Sequence, residues 1–173
     1  YTGHSNARYG STATGTMGKS TGKWYWESKL TTAVSNGVGT GVRDISQWDP
    51  DWANDSTFSH TDAGGDGGYG VNYNNGKPQR NNQESNDNNT SAVGQNDIVM
   101  HALDLDNGAL YYGINGTWQA SSDPDSGASK TNAAFTWTPN ATMNWCPYVA
   151  DNTSGVSFTW LANFGNPPFA ISS

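Results

Sequence analysis

Alternating apolar and polar positions mark a first strand near the start of the chain. Residues 23–30 place large apolar side chains at Trp24, Trp26 and Leu30, with polar or amphipathic residues between them. Successive side chains of an extended strand point to opposite faces, so this period of two predicts a strand with one covered side. We therefore assign Trp24 and Trp26 to the core, together with Trp137 and Trp160 from later strands.

Seven further segments are rich in the apolar, β-branched and aromatic residues that favour strands. They are residues 38–42, 68–73, 98–105, 109–114, 135–137, 145–149 and 156–164. Turn signals separate several of them: Asn75-Gly76, Asp106-Asn107-Gly108 and Asn115-Gly116. Asn-Gly is the dipeptide preferred in tight hairpin turns. The pattern therefore predicts antiparallel hairpins, most clearly over residues 98–118.

Three long polar segments, residues 43–67, 79–95 and 119–134, separate the predicted strands. Within the second, residues 79–91 hold nothing to anchor them to a core, which predicts an exposed loop. Short antiparallel strands joined by long loops favour an all-β fold, a two-sheet antiparallel sandwich. The length of 173 residues fits a single domain spanning 1–173.

Composition supports the all-β assignment and excludes several classes of protein. Glu occurs only at Glu27 and Glu84, whereas eight Trp, eight Tyr and five Phe are too many for a disordered chain. The net charge is −7 and the eight Lys and Arg are scattered, which argues against a nucleic-acid partner. No apolar run reaches the roughly 18 residues of a membrane span. The single cysteine, Cys146, is predicted to be a buried free thiol.

The sequence offers little for catalysis or metal binding. A glycoside hydrolase needs two carboxylates flanking the scissile bond, and the only local pair is Asp104 and Asp106. Because they adjoin a turn, we interpret both as turn formers, and we expect no enzyme and no cofactor. The segment 104–108 also lacks the glutamate that would close a calcium loop. Calcium elsewhere remains an alternative, among Asp49, Asp51 and Asp55 or at Asp62 and Asp66.

Candidate binding residues lie in the polar segments. Trp48 and Trp52 occupy the first, and Trp118 follows a hairpin turn. Exposed rings of this size can stack on sugars or anchor a protein contact, the alternative being that they fold back onto the sandwich edge. The complete set of partner-binding candidates is Trp48, Asp49, Asp51, Trp52, Asn81, Asn82, Asn86 and Trp118.

Four motifs, in order, resemble those of the SPRY domain family. They are residues 22–27 (Gly-Lys-Trp-Tyr-Trp-Glu), the hairpin 96–116, Pro147-Tyr148-Val149, and Ala162-Asn163-Phe164-Gly165 before Pro168-Phe169. The resemblance implies a bent antiparallel sandwich related to the concanavalin A-like jelly roll. It also implies a non-catalytic module that binds partners through loops at one end.

The Asn-, Thr- and Gly-rich loops are similar to those of SPRY-like modules in phage structural proteins. This likeness implies one module of a longer polypeptide, on a virion or other extracellular surface and serving there in host attachment or assembly. Its partners would be neighbouring protein subunits or a host-surface protein or glycan. The isolated domain is expected to be monomeric. The alternative is a glycoside hydrolase or lectin-like carbohydrate-active domain on the same sandwich.

Overall fold

The computed structural model describes residues 2–4, 11–32, 38–47, 68–73, 76–80, 83–84, 91–151 and 157–165. Within these ranges the chain forms thirteen strands and three short 3-10 helices. The helices are Ile45–Gln47, Gln119–Ser121 and Gly127–Ser129. No helix in the described ranges is long and apolar enough to cross a membrane.

The strands are numbered in chain order. They are β1 (Thr2–His4), β2 (Ser11–Thr14), β3 (Lys23–Leu30), β4 (Val38–Asp44), β5 (Gly68–Asn72), β6 (Pro78–Arg80), β7 (Gln83–Glu84), β8 (Ile98–Asp104), β9 (Ala109–Ile114), β10 (Thr117–Trp118), β11 (Phe135–Thr136), β12 (Trp145–Asp151) and β13 (Ser157–Asn163).

The strands form two antiparallel sheets. Sheet I has the order β1-β13-β3-β8-β9-β10, with β11 also paired to β9, and sheet II has the order β2-β12-β4-β5-β6-β7. Consecutive strands pair from β4 to β7 and from β8 to β10, whereas β1, β2, β3, β12 and β13 pair with strands distant in the sequence, so the chain crosses repeatedly between the sheets. The predicted fold class, an all-β antiparallel sandwich, is confirmed.

One apolar core joins the two sheets. Sheet I contributes Trp26, Leu30, Leu103, Leu110, Tyr112, Phe158 and Trp160, and sheet II contributes Val38, Val42, Tyr69, Val71 and Trp145. Burying a side chain of this kind contributes about 1.5–3 kcal/mol. The predicted core positions Trp26 and Trp160 are therefore confirmed, and Trp137 is partly buried against the same core. Cys146 is fully buried and free, as predicted, and burial raises the pKa of its thiol.

The hairpin regions agree best with the sequence prediction. β8 and β9 pair from Val99 with Ile114 to Asp104 with Ala109, and the Asn115-Gly116 turn leads into β10. The turn after β8 ends at Gly108, whose φ of +73° lies in the left-handed region. A Cβ there would lie 2.3 Å from the Trp137 carbonyl oxygen, so only glycine fits.

Four strands were not predicted. β1 and β2 have the polar sequences Thr-Gly-His and Ser-Thr-Ala-Thr, in which no apolar alternation is visible. Both lie at sheet edges, where backbone pairing to β13 and β12 defines a strand without any demand for apolar side chains. β7 and the last two residues of β6 fall inside the segment 79–95, so the prediction of a loop there is wrong over 79–80 and 83–84. Likewise β4 extends to Asp44, two residues into the predicted loop 43–67.

Candidate functional site

A groove of about 500 Å³ opens between the two sheets at one end of the sandwich. We call it the inter-sheet groove. Its lining is Thr14, Gly15, Thr16, Met17, Lys19, Trp24, Tyr25, Trp26, Leu103, Trp145, Pro147 and Phe164. Among the described residues of this lining, Lys19 alone is charged. The groove is thus an apolar, aromatic surface with one cation at its rim.

Backbone hydrogen bonds fix the wall of the groove that follows β2. The amide of Gly15 donates to the carbonyl of Pro147 at 2.8 Å. Further along, Lys19 and Trp145 exchange two backbone hydrogen bonds, at 2.8 and 3.0 Å. Residues 15–19 therefore lie along β12 as a continuation of sheet II, which holds Met17 and Lys19 at the rim.

Trp24 belongs to this groove and not to the core, so its assignment to the core is wrong. It remains 41% exposed, whereas Trp26, two residues further along β3, is buried. The Trp24 indole N–H donates to the Thr21 carbonyl at 2.8 Å, and the Lys19 ammonium lies 4.7 Å from the ring centre. A ring held by a hydrogen bond and a cation–π contact loses little freedom on binding, which favours affinity.

The exposed large apolar side chains of the described residues cluster around the groove. Met17 is 74% exposed and Phe164 is 64% exposed, and both line the groove together with Trp24 and Tyr25. The remaining one, Leu161, is 45% exposed but does not line it. Single exposed apolar residues are ordinary, whereas a contiguous group around a concave surface marks an interaction site.

A second depression, of about 230 Å³, extends the groove along the sandwich. The two share Thr14, Gly15, Trp26, Pro147 and Phe164, and the extension adds residues of β12 and β13 such as Tyr148 and Ala162. Burial raises the pKa of the Tyr148 hydroxyl well above its usual range, against a smaller opposite effect of Arg43. The phenol therefore stays neutral, and the extension offers no ionised tyrosine.

Trp118 lies on the other side of sheet I, beside a shallower depression of about 270 Å³. We call this the outer-face depression. It is bordered by Lys23, Trp24, Tyr25, Ala102, Leu103, Asp104, Tyr111, Trp118, Pro124 and Asp125. Trp118 is half-buried and meets the Tyr25 ring edge-on, with ring centres 6.5 Å apart. The segment 119–134, confirmed as a loop with two 3-10 turns, supplies Pro124 and Asp125 to this depression.

Asp104 and Asp106 act as turn formers. The Asp104 carboxylate accepts hydrogen bonds from the Asn107 backbone and side-chain amides at 3.0 and 2.8 Å, and Lys23 lies 3.4 Å away. Burial opposes ionisation, but the Asn107 hydrogen bonds and Lys23 together lower the pKa of Asp104. Asp106 accepts the Gly22 amide at 2.7 Å. A carboxyl that remains ionised is unsuited to the general-acid role of a glycosidase.

The remaining predicted site residues lie outside the described residues. These are Trp48, Asp49, Asp51, Trp52, Asn81, Asn82 and Asn86, and with them the calcium candidates Asp55, Asp62 and Asp66. Within the ranges that the structure describes, no three His, Cys, Asp or Glu residues are grouped to hold a metal ion.

Comparison with solved structures identifies the architecture. The chain superimposes on the crystal structure of the SPRY domain of human HERC1 with a TM-score of 0.67. The match covers 91% of this chain and 84% of that one, at 17% sequence identity. The fold is that of a SPRY domain. No family model matches the chain, and no curated protein does either.

The SPRY fold places the groove at the point where β13 leaves β3. β13 pairs with β3 only as far as Asn163 opposite Glu27. The Asn163 carboxamide then accepts the Gly165 amide at 3.1 Å, and Gly165 bends the chain with a φ of +133°. Trp24 faces the same side of β3 as Trp26, but it lies beyond the last residue that β13 covers.

The local sequence pattern does not reveal the groove, because Trp24 and Trp26 occupy equivalent positions in it. Both occupy the apolar phase of the same alternation, and only the long-range end of β13 separates their surroundings. Met17 gave a weak signal as an isolated large apolar residue among Gly, Ser and Thr, whereas Phe164 ends the predicted strand 156–164 and gave no separate signal. That signal does not reveal that residues 17, 24 and 164 meet.

Proposed function

We propose that this SPRY-fold chain is a non-catalytic protein-interaction module that binds its partner through the inter-sheet groove. The observation that carries the proposal is the convergence of the Met17, Trp24 and Phe164 side chains on one concave apolar surface. Protein interfaces concentrate their binding energy in aromatic side chains packed in pockets, with polar residues at the rim. The groove has this composition.

Two features of the described residues favour binding over catalysis. The carboxylate pair that a glycosidase would use is engaged in the turn after β8, with Lys23, Asn107 and Gly22 as partners. His101 is fully buried in the sheet, and burial lowers its pKa to about 3, so no solvent-accessible base is present there. Location on a virion or extracellular surface stays a prediction from the sequence resemblance.

A selection from displayed random peptides tests the proposal. The 173-residue chain should enrich linear peptides, and replacing both Trp24 and Phe164 by Ala should weaken the best peptide by about 30-fold or more, since each ring is an anchor worth over 1 kcal/mol. Leu161→Ala is the matched control, because Leu161 is equally apolar and 45% exposed but outside the groove. It should leave the affinity within about twofold.

The outer-face depression provides the competing site. If Trp118→Ala abolishes binding and the Trp24/Phe164 double variant does not, the partner binds at the outer face and the proposal is wrong. Enrichment of no peptide at all, accompanied by binding of an oligosaccharide on a glycan array, would favour the lectin-like alternative instead.

A further inference from the structure

One strand edge borders the inter-sheet groove without a partner strand in the described part of the chain. β3 begins at Lys23, but β13 pairs only with residues 27–30 of β3. On its other side β3 is paired with β8 over residues 23–29. Among the residues that the structure describes, positions 23–26 therefore form an open edge of about 13 Å, at roughly 3.3 Å per residue.

Alternation of the ladder shows which backbone groups face this open side. Thr31 donates its amide to Thr159, and Gly22 accepts the amide of Leu105, which follows β8. In an antiparallel sheet successive residues direct their N–H and C=O groups to opposite neighbours. The backbone N–H and C=O groups of odd-numbered β3 residues thus point towards β13. Those of Lys23 and Tyr25 point to the same side, beyond the end of the pairing with β13.

The side chains beside this edge point into the groove. Trp24 and Trp26 lie on the apolar face of β3 and line it, as do Leu103 from β8 and Pro147 from sheet II. A strand laid along residues 23–26 would place every second side chain in the groove, next to these rings. The edge and the groove together offer backbone hydrogen bonds and alternating apolar contacts at one place.

From this juxtaposition we propose that the partner binds by strand addition. An extended segment of another protein pairs with Lys23 and Tyr25 of β3 and inserts alternate apolar side chains into the inter-sheet groove. The inference rests on the proposed function and specifies the form of the ligand. Lys19, a cation that faces Trp24, is the one charged residue among the described residues of the lining, so this lining favours neutral or acidic segments over basic ones.

Amide hydrogen exchange of the full 173-residue chain tests this mode of binding. The probe is a library of capped peptides of about eight residues, with apolar residues at alternate positions, and a control library groups the apolar residues together. With the best alternating peptide bound, the amides of Lys23 and Tyr25 should exchange about tenfold more slowly or better. The amides of Trp24 and Trp26, which face β8, should change by less than about twofold.

N-methylation of the peptide supplies the matched control. Methyl groups on the alternate peptide amides that face β3 should weaken binding about tenfold or more, and methyl groups on the other set should leave it within about twofold. Two results would overturn strand addition but not the proposal that the partner binds in the groove. One is equal weakening by both sets of N-methylated peptides, and the other is binding without protection of the Lys23 and Tyr25 amides. Binding by neither library would overturn it as well. If the random selection also gave no groove-dependent peptide, the proposed function would fall with it.

Other occupants of the edge give distinct results in the free chain. Strong protection of the Lys23 and Tyr25 amides without peptide, independent of protein concentration, would show that another segment of this chain covers the edge. Protection that rises with concentration would show that a second copy covers it. Either result would overturn the proposal, which predicts that both amides exchange freely until the peptide is added.

Discussion

At the scale of single residues, His101 shows how burial couples the fold to pH. Its ring stacks on Trp26 with centres 4.6 Å apart and meets Tyr112 edge-on. Among the described residues, neither ring nitrogen has a hydrogen-bonding partner of good geometry, although the backbone of Trp26 and Val99 favours the charged form. Burial dominates and lowers the pKa to about 3, from 6.5. The neutral ring is therefore the native form.

This shift predicts a loss of stability in mild acid. Because the folded pKa lies below the unfolded one, the stabilisation is complete above pH 6.5 and declines as the pH falls towards 3. Between pH 7 and pH 5 the free energy of unfolding should fall by about 2 kcal/mol from this residue alone. Urea denaturation at both pH values measures the change. His101→Phe should remove most of it, and an unchanged pH dependence in that variant would assign the effect to other groups.

Gly108 allows a second prediction at this scale. Gly108→Ala adds a Cβ 2.3 Å from the Trp137 carbonyl oxygen at a φ of +73°. Gly127 also has a positive φ, +57°, but no atom of the described residues lies within 4 Å of the corresponding position. Gly127→Ala should cost about 1 kcal/mol of unfolding free energy from backbone strain, and Gly108→Ala more than about 3 kcal/mol from strain and overlap. Equal losses in denaturation experiments would contradict this account of the turn.

At the scale of elements, β3 combines a core strand and a binding edge. Trp26→Ala should cost about 3–5 kcal/mol of unfolding free energy because it leaves a cavity between the sheets. Trp24→Ala should shift the melting temperature by only a few degrees, since its ring is 41% exposed, but should weaken peptide binding. Calorimetry on the two variants tests this difference. A large loss of stability from Trp24→Ala would place that ring in the core after all.

The same elements show how far the sequence predicts this fold. β3 was predicted from its alternating apolar positions, whereas β8 and β9 were predicted as apolar segments bounded by Asn-Gly turns. β1, β2, β6 and β7 were not, because edge pairing is a backbone interaction that leaves no pattern of side chains. The groove lies where β13 stops, at Asn163 opposite Glu27. That end depends on contacts between residues more than one hundred positions apart, which no local pattern contains.

At the scale of the whole molecule, the two faces of sheet I present different surfaces. The inner face carries the core and opens into the inter-sheet groove, whereas the outer face carries the depression beside Trp118. The chain has a net charge of −7, which opposes self-association. Size-exclusion chromatography should therefore give a monomer near 18.5 kDa. If the chain instead forms a stable dimer, and this dimer dissociates when Trp24 and Phe164 are both replaced by Ala, the groove is an interface between two copies of the chain.

The central claim, that partners bind in the inter-sheet groove, is tested most directly by chemical-shift mapping. A selected peptide is titrated into the isotope-labelled chain, and the shifts of backbone amides and tryptophan indoles are followed. The account predicts that the largest changes fall on Met17, Trp24 and Phe164, with Trp118 and Asp125 almost unaffected. Changes centred on Trp118 and Asp125 that leave Met17 and Phe164 unmoved would contradict it.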